Sequence, residues 1–305
     1  MSVVCQIDQS VHEDVTALHA HLRRFRVKQA DYYEHHFPRQ NVATGAAIRY
    51  KTHDQYFNQD LQDKNELKSW IKREPEKAKE WAINWLKKRR EEKGLTYAPS
   101  QAELKTLLCP TMIYYNSIGG YYNICRELGY QDRYDDELLK FVTLPKDAMI
   151  IQDTREQNAL KLAAPTKIAT VSEGDYALAP PNDKGVYIER KSLNDFCSSV
   201  CKGNARLRRE LERATKKGYY IVMLVEDTIA NAQSIEYLPH TRHIKASSSF
   251  IAKQMRDLLT DFPFSFQVLF IDGRIEAAQK LIKIFELGEQ VKTVDLQWKY
   301  ERGEL

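Results

Sequence analysis

Gly174-Asp175-Tyr176-Ala177-Leu178, then Pro180-Pro181-Asn182-Asp183, then Gly185-Val186-Tyr187-Ile188-Glu189-Arg190-Lys191-Ser192-Leu193-Asn194-Asp195-Phe196 is the stretch on which the fold turns. A companion stands upstream, Ile150-Ile151-Gln152-Asp153-Thr154-Arg155-Glu156. Each acidic cluster ends or follows a short β-branched run, which places the carboxylates at strand ends. The segment from Pro180 to Gly185 supplies the turn between two strands. Glu189 and Lys191 are two positions apart on the second strand, so they share a face, while Arg190 points to the other. A carboxylate and an ammonium then lie side by side, opposite Asp175 on the neighbouring strand.

Hard oxygen ligands on adjacent strands suit Mg²⁺ or Mn²⁺, which keep several waters and reach toward phosphates. A lysine beside such an ion can hold or polarise an attacking water and offset charge on the phosphoryl oxygens. A bare Glu-x-Lys is, however, also the commonplace salt bridge of a solvated two-stranded ribbon. The length of the pattern separates the two. Asp-x-Arg-Glu, then Gly-Asp-Tyr, then Ile-Glu-Arg-Lys-Ser-x-x-Asp-Phe resembles the nuclease domain of the XPF family of structure-specific endonucleases, a branch of the PD-(D/E)XK nucleases. The resemblance continues through the basic run Arg206 to Arg213, the apolar run Tyr220 to Glu226, and the segments Phe250 to Leu259 and Phe266 to Ile282, covering about residues 146–288.

That resemblance implies an α/β restriction-endonuclease-like domain, a mixed central sheet flanked by helices. It implies that Asp175 and Glu189 ligate Mg²⁺ or Mn²⁺, with Asp153 close by or ligating. Lys191 would position the water, Arg155 and Glu156 would line the site, Arg190 would hold position beside it, and Asp195 would buttress the basic residues. It implies DNA as the partner and leaves open a homodimer through the nuclease domain. No tandem helix-hairpin-helix module and no helicase motif accompany the signature in this sequence, which leaves branched-junction specificity and obligate dimer partners open.

Length and composition frame this reading. A chain of 305 residues suits two modest domains, and a hydrophobic content of 43% is enough for real cores. A net charge of +4 permits a nucleic-acid partner without demanding one. Five scattered cysteines, Cys5, Cys109, Cys125, Cys197 and Cys201, give no disulfide framework and fit a reducing compartment. With no run of about eighteen apolar residues and no signal-peptide core, the expectation is a soluble, intracellular protein, in a bacterial or phage-infected cytoplasm or a nucleus. The chain divides, on this reading, into a small N-terminal module (1–60), a helical DNA-binding region (61–134), a linker (135–145), the nuclease domain (146–290) and a short charged tail (291–305).

The N-terminal module carries Cys5-Gln6-Ile7-Asp8, Leu18-His19-Ala20-His21-Leu22 and Tyr32-Tyr33. It faintly resembles Cys-x-x-Cys…His zinc modules at the start of some phage DNA-binding proteins. Here Asp8 stands at the second cysteine, and Phe25 stands four residues after His21. Cys5, His19 and His21 do not supply the four ligands of a closed Zn²⁺ site, so the module reads as one that has lost its metal. Residues 56–92 read as helix, with Pro75 at a first turn and Trp81, Trp85 and Leu86 at helical spacing. Its end, Lys87-Lys88-Arg89-Arg90, is either a solvated face or a track for a phosphate backbone.

Residues 93–134 hold a Gly94 stop, a Ser100 N-cap, and then two short helices rich in tyrosine. They resemble the small helical repeats that accompany phage and organellar homing endonucleases, which are similar to helix-turn-helix units and bind DNA. Tyr114, Tyr115, Tyr121 and Tyr122 cannot all be buried on one helical face, so Tyr114, Tyr115 and Tyr121 are expected to reach phosphates or bases. Arg206, Arg208 and Arg209 join Arg190 as expected phosphate clamps. The function so read is a metal-dependent DNA endonuclease of repair or recombination, selective for flapped or branched DNA or for a sequence in a homing-like manner. The alternative is a catalytically silent DNA-binding scaffold or partner subunit, against which Asp153, Asp175, Glu189 and Lys191 all stand in place.

Overall fold

A computed structural model describes residues 2–38, 40, 47, 64–238, 241 and 244–305. The chain forms two units, Met1–Ala98 with Leu107–Gln131, and Pro99–Thr106 with Asp132–Leu305.

The first unit begins with a small antiparallel hairpin, β1 (Val3–Val4) and β2 (Val11–His12). Helix α1 (Val15–Leu22) follows, its first turn capped by the Asp14 carboxylate, which accepts from the Ala17 N–H at 2.7 Å. With α2 (Gln29–His36) it closes a core of Cys5, Leu18, Leu22, Tyr32 and Tyr33. Helices α3 (Lys64–Arg73) and α4 (Pro75–Lys93) are split at Glu74, where Pro75 takes the first position of the new helix. Of the helical span 56–92 read from the sequence, residues 56–63 lie outside the described residues. Trp70 and Trp81 meet edge to face at 5.6 Å, and Gly94 ends α4 in the left-handed conformation.

Helix α5 (Gln101–Lys105) opens with a capping box between Ser100 and Glu103 and groups with the second unit, not with its sequence neighbours. Its Gln101 N–H donates to the Asp295 carboxylate at 2.6 Å, and its Lys105 carbonyl accepts from Gln233 at 2.7 Å. Helices α6 (Met112–Ser117) and α7 (Tyr121–Glu127) return to the first unit.

The second unit is built on six strands, β3 (Ile150–Gln152), β4 (Thr166–Ile168), β5 (Tyr176–Leu178), β6 (Val186–Lys191), β7 (Tyr220–Val225) and β8 (Phe266–Phe270), in the order β4-β3-β5-β6-β7-β8. Pairing is parallel at β4-β3, β6-β7 and β7-β8 and antiparallel at β3-β5 and β5-β6, so the sheet is mixed. All six residues of β7 are buried, as befits an interior strand covered on both faces. Its side chains alternate between the two faces. Ile221, Met223 and Val225 pack under α8 (Leu193–Val200), α9 (Asn204–Lys216), α10 (Ile229–Gln233) and α11 (Ser248–Asp261). Tyr220, Val222 and Leu224 pack under α12 (Arg274–Leu287) and α13 (Leu296–Glu301). The result is a sheet between two helical layers, as the sequence reading expects of an α/β domain.

Two segments differ from that reading. The supposed charged tail is core: Val291, Val294, Leu296 and Trp298 are all buried, with Asp295 capping α13. Their apolar spacing is masked in sequence by Lys292, Asp295 and Lys299. The chain is also anchored just before the expected linker, because Arg133 is buried and donates to the carbonyls of Leu259 (2.9 Å), Pro263 (2.9 Å) and Phe266 (2.6 Å). Among the described residues no helix is long and apolar enough to cross a membrane.

Candidate active site

The β5-β6 register brings Tyr176 opposite Ile188, which sets Asp175 across from Glu189. The Asp175 N–H donates to the Ile188 carbonyl at 2.8 Å, and the Asp175 carboxylate accepts from the Arg190 N–H at 2.8 Å. Gly174 makes this approach workable. It has φ +69°, and a Cβ there would stand 2.9 Å from the Ile188 carbonyl oxygen. Gly174→Ala is therefore expected to cost about 2 kcal/mol or more of stability, from left-handed strain plus a backbone clash. It should also slow catalysis by displacing Asp175. Chemical denaturation and activity on the same sample check this, and unchanged stability would remove the steric argument.

Asp175, Glu189 and Lys191 line one cleft of about 240 Å³, together with Arg155, Ser172, Glu173, Arg206, Glu210 and Arg213. Lys191 is ion-paired with Glu189. Burial pushes the Asp175 carboxyl up, the neighbouring Glu189 charge pushes it further, and Lys191 only partly offsets them, so its pKa rises to about 7. Burial works against the Lys191 ammonium, but Glu189, Asp175 and Asp195 outweigh it and hold its pKa above the ordinary lysine value. Lys191 is thus a fixed cation at neutral pH, suited to donating hydrogen bonds and not to abstracting protons. Two carboxylates held together against their own repulsion are what a divalent cation relieves, and their hard oxygens suit Mg²⁺ or Mn²⁺. The paired oxygens of Asp175 and Glu189 are a donor set of the kind such an ion takes.

Asp153 is held differently. It is buried, its Oδ1 accepts from the Arg155 backbone (2.8 Å) and side chain (2.6 Å), and its Oδ2 accepts from the Val171 N–H at 2.7 Å. Arg155 chiefly, and these backbone donors, hold its carboxyl below the usual range. With its oxygens so engaged, Asp153 aims Arg155 at the cleft and does not itself line it. The Asp153 N–H donates to the Asp175 carbonyl at 2.8 Å, which ties the two motifs together.

Glu156 also turns away from the cleft. It receives both ends of the Arg190 guanidinium, at 3.0 and 3.1 Å, and Arg190 reaches Glu226 at 3.1 Å. Arg190 does not pair with Asp195, which instead sits in the first turn of α8 and accepts from Ser192 at 2.7 Å. The period-two argument sends Arg190 to the opposite face, and buried acids lie there to meet it.

The basic residues divide. Arg206 is exposed on the cleft beside Glu210, and Arg209 is exposed on α9, while Arg208 is engaged by Asn204 (2.9 Å) and Asp261 (2.6 Å). In the first unit Lys87 and Lys88 are exposed. Arg89 is buried, over the Trp85 ring at 5.4 Å, and Arg90 donates to the Gly129 carbonyl at 2.8 Å. Tyr115 and Tyr121 are 0% and 1% exposed, so they are core residues and not contacts for DNA; Tyr114 is half-buried. The Tyr115 hydroxyl donates to the Ala82 carbonyl at 3.1 Å, so packing against α4 overrides the one-face count made on a single helix. His19 bonds the Tyr33 hydroxyl at 2.9 Å and stands apart from Cys5 and His21.

Sequence reasoning missed Glu173. It is buried beside Asp175, and Lys217 (2.9 Å) and Arg213 (3.4 Å) hold it. The signal was present in its place next to Gly174 and in the i, i+4 spacing of Arg213 and Lys217 on α9.

Residues 150–284 match the family model described as the ERCC4 domain. Among solved structures, "XPF from Aeropyrum pernix" is similar at 17% identity, over 45% of this chain and 63% of that chain, with a TM-score of 0.34. A second structure, "XPF from Aeropyrum pernix, complex with DNA", is similar at 16% identity, over 45% and 62%, with the same TM-score. No curated protein sequence matches the chain. The C-terminal unit thus carries an ERCC4 nuclease fold, a mixed sheet flanked by helices, and a helical region precedes it in sequence.

Proposed function

We propose that the protein is a divalent-metal-dependent DNA endonuclease acting on flapped or branched substrates. The observation that carries this is the composition of one cleft within the ERCC4 domain. Asp175, Glu189 and Lys191 share it, under a rim of Arg155, Arg206 and Arg213. Asp175 and Glu189 would hold Mg²⁺ or Mn²⁺, which when bound supplies Lewis-acid polarisation of a phosphate and a lowered pKa for an attacking water. Lys191, a permanent cation, orients that water and offsets charge developing on the phosphoryl oxygens. Arg155, 72% exposed at its side chain and aimed by Asp153, meets a backbone phosphate, and Arg206 meets another. Asp153 and Arg190 act by positioning.

The helical region before the nuclease domain is proposed to add DNA affinity through Lys87 and Lys88, with Tyr114 at its surface. The test is cleavage by the full chain with Mg²⁺, Mn²⁺ or chelator, on linear duplex, 5′- and 3′-flapped, and four-way DNA. Metal-dependent incision near the branch point, at a rate at least tenfold above linear duplex, is the expected result. Incision of linear duplex at one fixed site with no preference for flaps would overturn the structural selectivity. No incision of any substrate with either ion would overturn the nuclease reading itself.

A further inference from the structure

A second cluster of metal-ligating side chains lies far in sequence from the cleft, in the N-terminal module. The Cys5 sulfur, an Asp8 carboxylate oxygen and a His21 ring nitrogen all lie within 4.8 Å of one another. Cys5 is fully buried, and the His21 Nε2 is 2.8 Å from Asp8 Oδ2. The fold around them is a hairpin, β1-β2, followed by α1, which is a ββα arrangement. Cys5 and Asp8 sit in the hairpin connection, and His21 in the last turn of the helix.

Their spacing is Cys-x₂-Asp-x₁₂-His, followed by x₃-Phe25. That is the Cys-x₂-Cys-x₁₂-His-x₃-His spacing of a ββα zinc finger, with Asp8 at the second ligand and Phe25 at the fourth. Cys5, His19 and His21 were read as too few ligands for a closed site; the helix turns His19 to Tyr33 and brings His21 to Cys5 and Asp8. Carboxylate is itself a zinc ligand, so Asp8 replaces a thiolate without losing the donor.

The connection is wound to aim these groups. The Cys5 N–H donates to the Ser10 carbonyl and the Gln9 N–H to the Cys5 carbonyl, each at 2.9 Å, and Gln9 takes a left-handed φ of 62°. The Ser10 hydroxyl touches Asp8 (2.7 Å), His12 (2.8 Å) and His21 (3.1 Å). Phe25 lies edge-on to His21 at 5.1 Å, where a fourth ligand of the finger pattern would come from. Tetrahedral ligands about 2.0–2.3 Å from zinc stand roughly 3.3–3.8 Å apart, so the three donors need shifts of only about half an ångström. The core beside them holds five residues, Cys5 among them. A module so small usually needs a metal or a disulfide, and Cys5 is a free thiol.

We propose that Cys5, Asp8 and His21 bind one Zn²⁺ as a three-ligand finger site, with the fourth position left to water beside His12. The site is independent of the nuclease reading. The purified full-length protein is stripped with chelator and titrated with Zn²⁺ against a chromophoric competitor, and separately with Co²⁺. Expected are one Zn²⁺ equivalent and a Co²⁺–thiolate charge-transfer band, which an all-oxygen site such as the cleft cannot give. Cys5→Ser should abolish the band, and His21→Gln should weaken Zn²⁺ at least tenfold. Phe25→His should tighten Zn²⁺ at least tenfold, because it restores the missing ligand without removing one. Should Cys5→Ser fail to fold, the wild-type band and the other two variants decide. Absence of the band in the wild-type protein, or Zn²⁺ affinity unmoved by both His21→Gln and Phe25→His, would show a merely hydrogen-bonded cluster and overturn the site.

Discussion

Asp175→Asn and Glu189→Gln proteins are expected to bind flapped DNA about as tightly as the wild type and to cleave it on the order of a thousandfold more slowly. Each change removes one hard anionic ligand while keeping the side-chain shape, so what is lost is stabilisation of the transition state, not the fold. DNA affinity should hold or rise slightly, because a negative charge near the phosphates has gone. Asp175→Asn should also be separable from Glu189→Gln by its stability. Burial, and then the neighbouring Glu189 charge, push the Asp175 carboxyl from an ordinary value of 3.8 up to about 7. A folded state that takes up a proton more readily than the unfolded chain is favoured below the unfolded pKa, and loses that advantage as pH rises through 7.

Wild-type stability should therefore sag between about pH 4 and 7, and the Asn variant should not show this. At pH 8 without metal, Asp175→Asn is expected to be more stable than wild type by roughly 2 kcal/mol, less than the full shift implies because the cleft is open to water. Adding Mg²⁺ should close the gap, since an ion that binds only the folded wild type raises its stability by mass action. Denaturation at pH 5 and 8, with and without Mg²⁺, measures it. A variant less stable than wild type at pH 8 without metal would mean that the Arg190 N–H and Lys191 already satisfy Asp175, and that the site is not held in tension for a cation.

The geometry at Asp175, Glu189 and Lys191 was legible in sequence because it depends on local rules. A period of two fixes which strand residues share a face, and the Pro-Pro-Asn-Asp turn fixes which strands are neighbours. Gly174 adds a backbone constraint that a reader can name before seeing it. The partners of Asp153 were not legible, because they include the Val171 N–H, eighteen positions away across a loop whose path no pattern declares. Tyr115 and Tyr121 were expected at the surface because one helix offers one buried face. Both are buried: the Tyr115 hydroxyl reaches the Ala82 carbonyl of α4, and the Tyr121 ring packs against Tyr115 at 5.5 Å. The C-terminal residues failed for a related reason. Val294 and Leu296 are core because they cover the sheet's other face, a demand set by β7 and β8 and invisible in a short charged segment.

Arg190→Ala should strongly destabilise the nuclease domain, and its signature should be pH-dependent. Arg190 is 9% exposed at its side chain and is held between Glu156 and Glu226, themselves 5% and 10% exposed. Burial pushes the Glu156 carboxyl up, but the Arg190 hydrogen bonds and charge, with the Asn158 N–H and the Arg274 charge, more than reverse this and leave it below its ordinary value. A depressed carboxylate contributes stability that is present above its unfolded pKa, about 4.5, and is lost as pH falls through the folded value. The wild-type pair is therefore fully effective at neutral pH.

Deleting the guanidinium strands two buried anions, of which Glu226 keeps only Arg274, at 3.3 Å. The expected loss is about 3–5 kcal/mol at pH 8, the usual outcome when one partner of a buried ion pair is removed. With Arg190 gone, only the Asn158 N–H and the Arg274 charge still oppose burial, so the Glu156 pKa should rise and protonation at lower pH should relieve part of the penalty. The stability gap to wild type should then shrink between pH 8 and 5. Lys191→Ala supplies the contrast: its cation faces the cleft, so cleavage should fall about a hundredfold or more with little change in unfolding. A gap for Arg190→Ala that stays constant from pH 8 to 5 would refute the role of the buried acids. If instead Lys191→Ala unfolds the protein and Arg190→Ala only stops cleavage, the two faces of β6 have been exchanged and the site must be redrawn from the other side of the sheet.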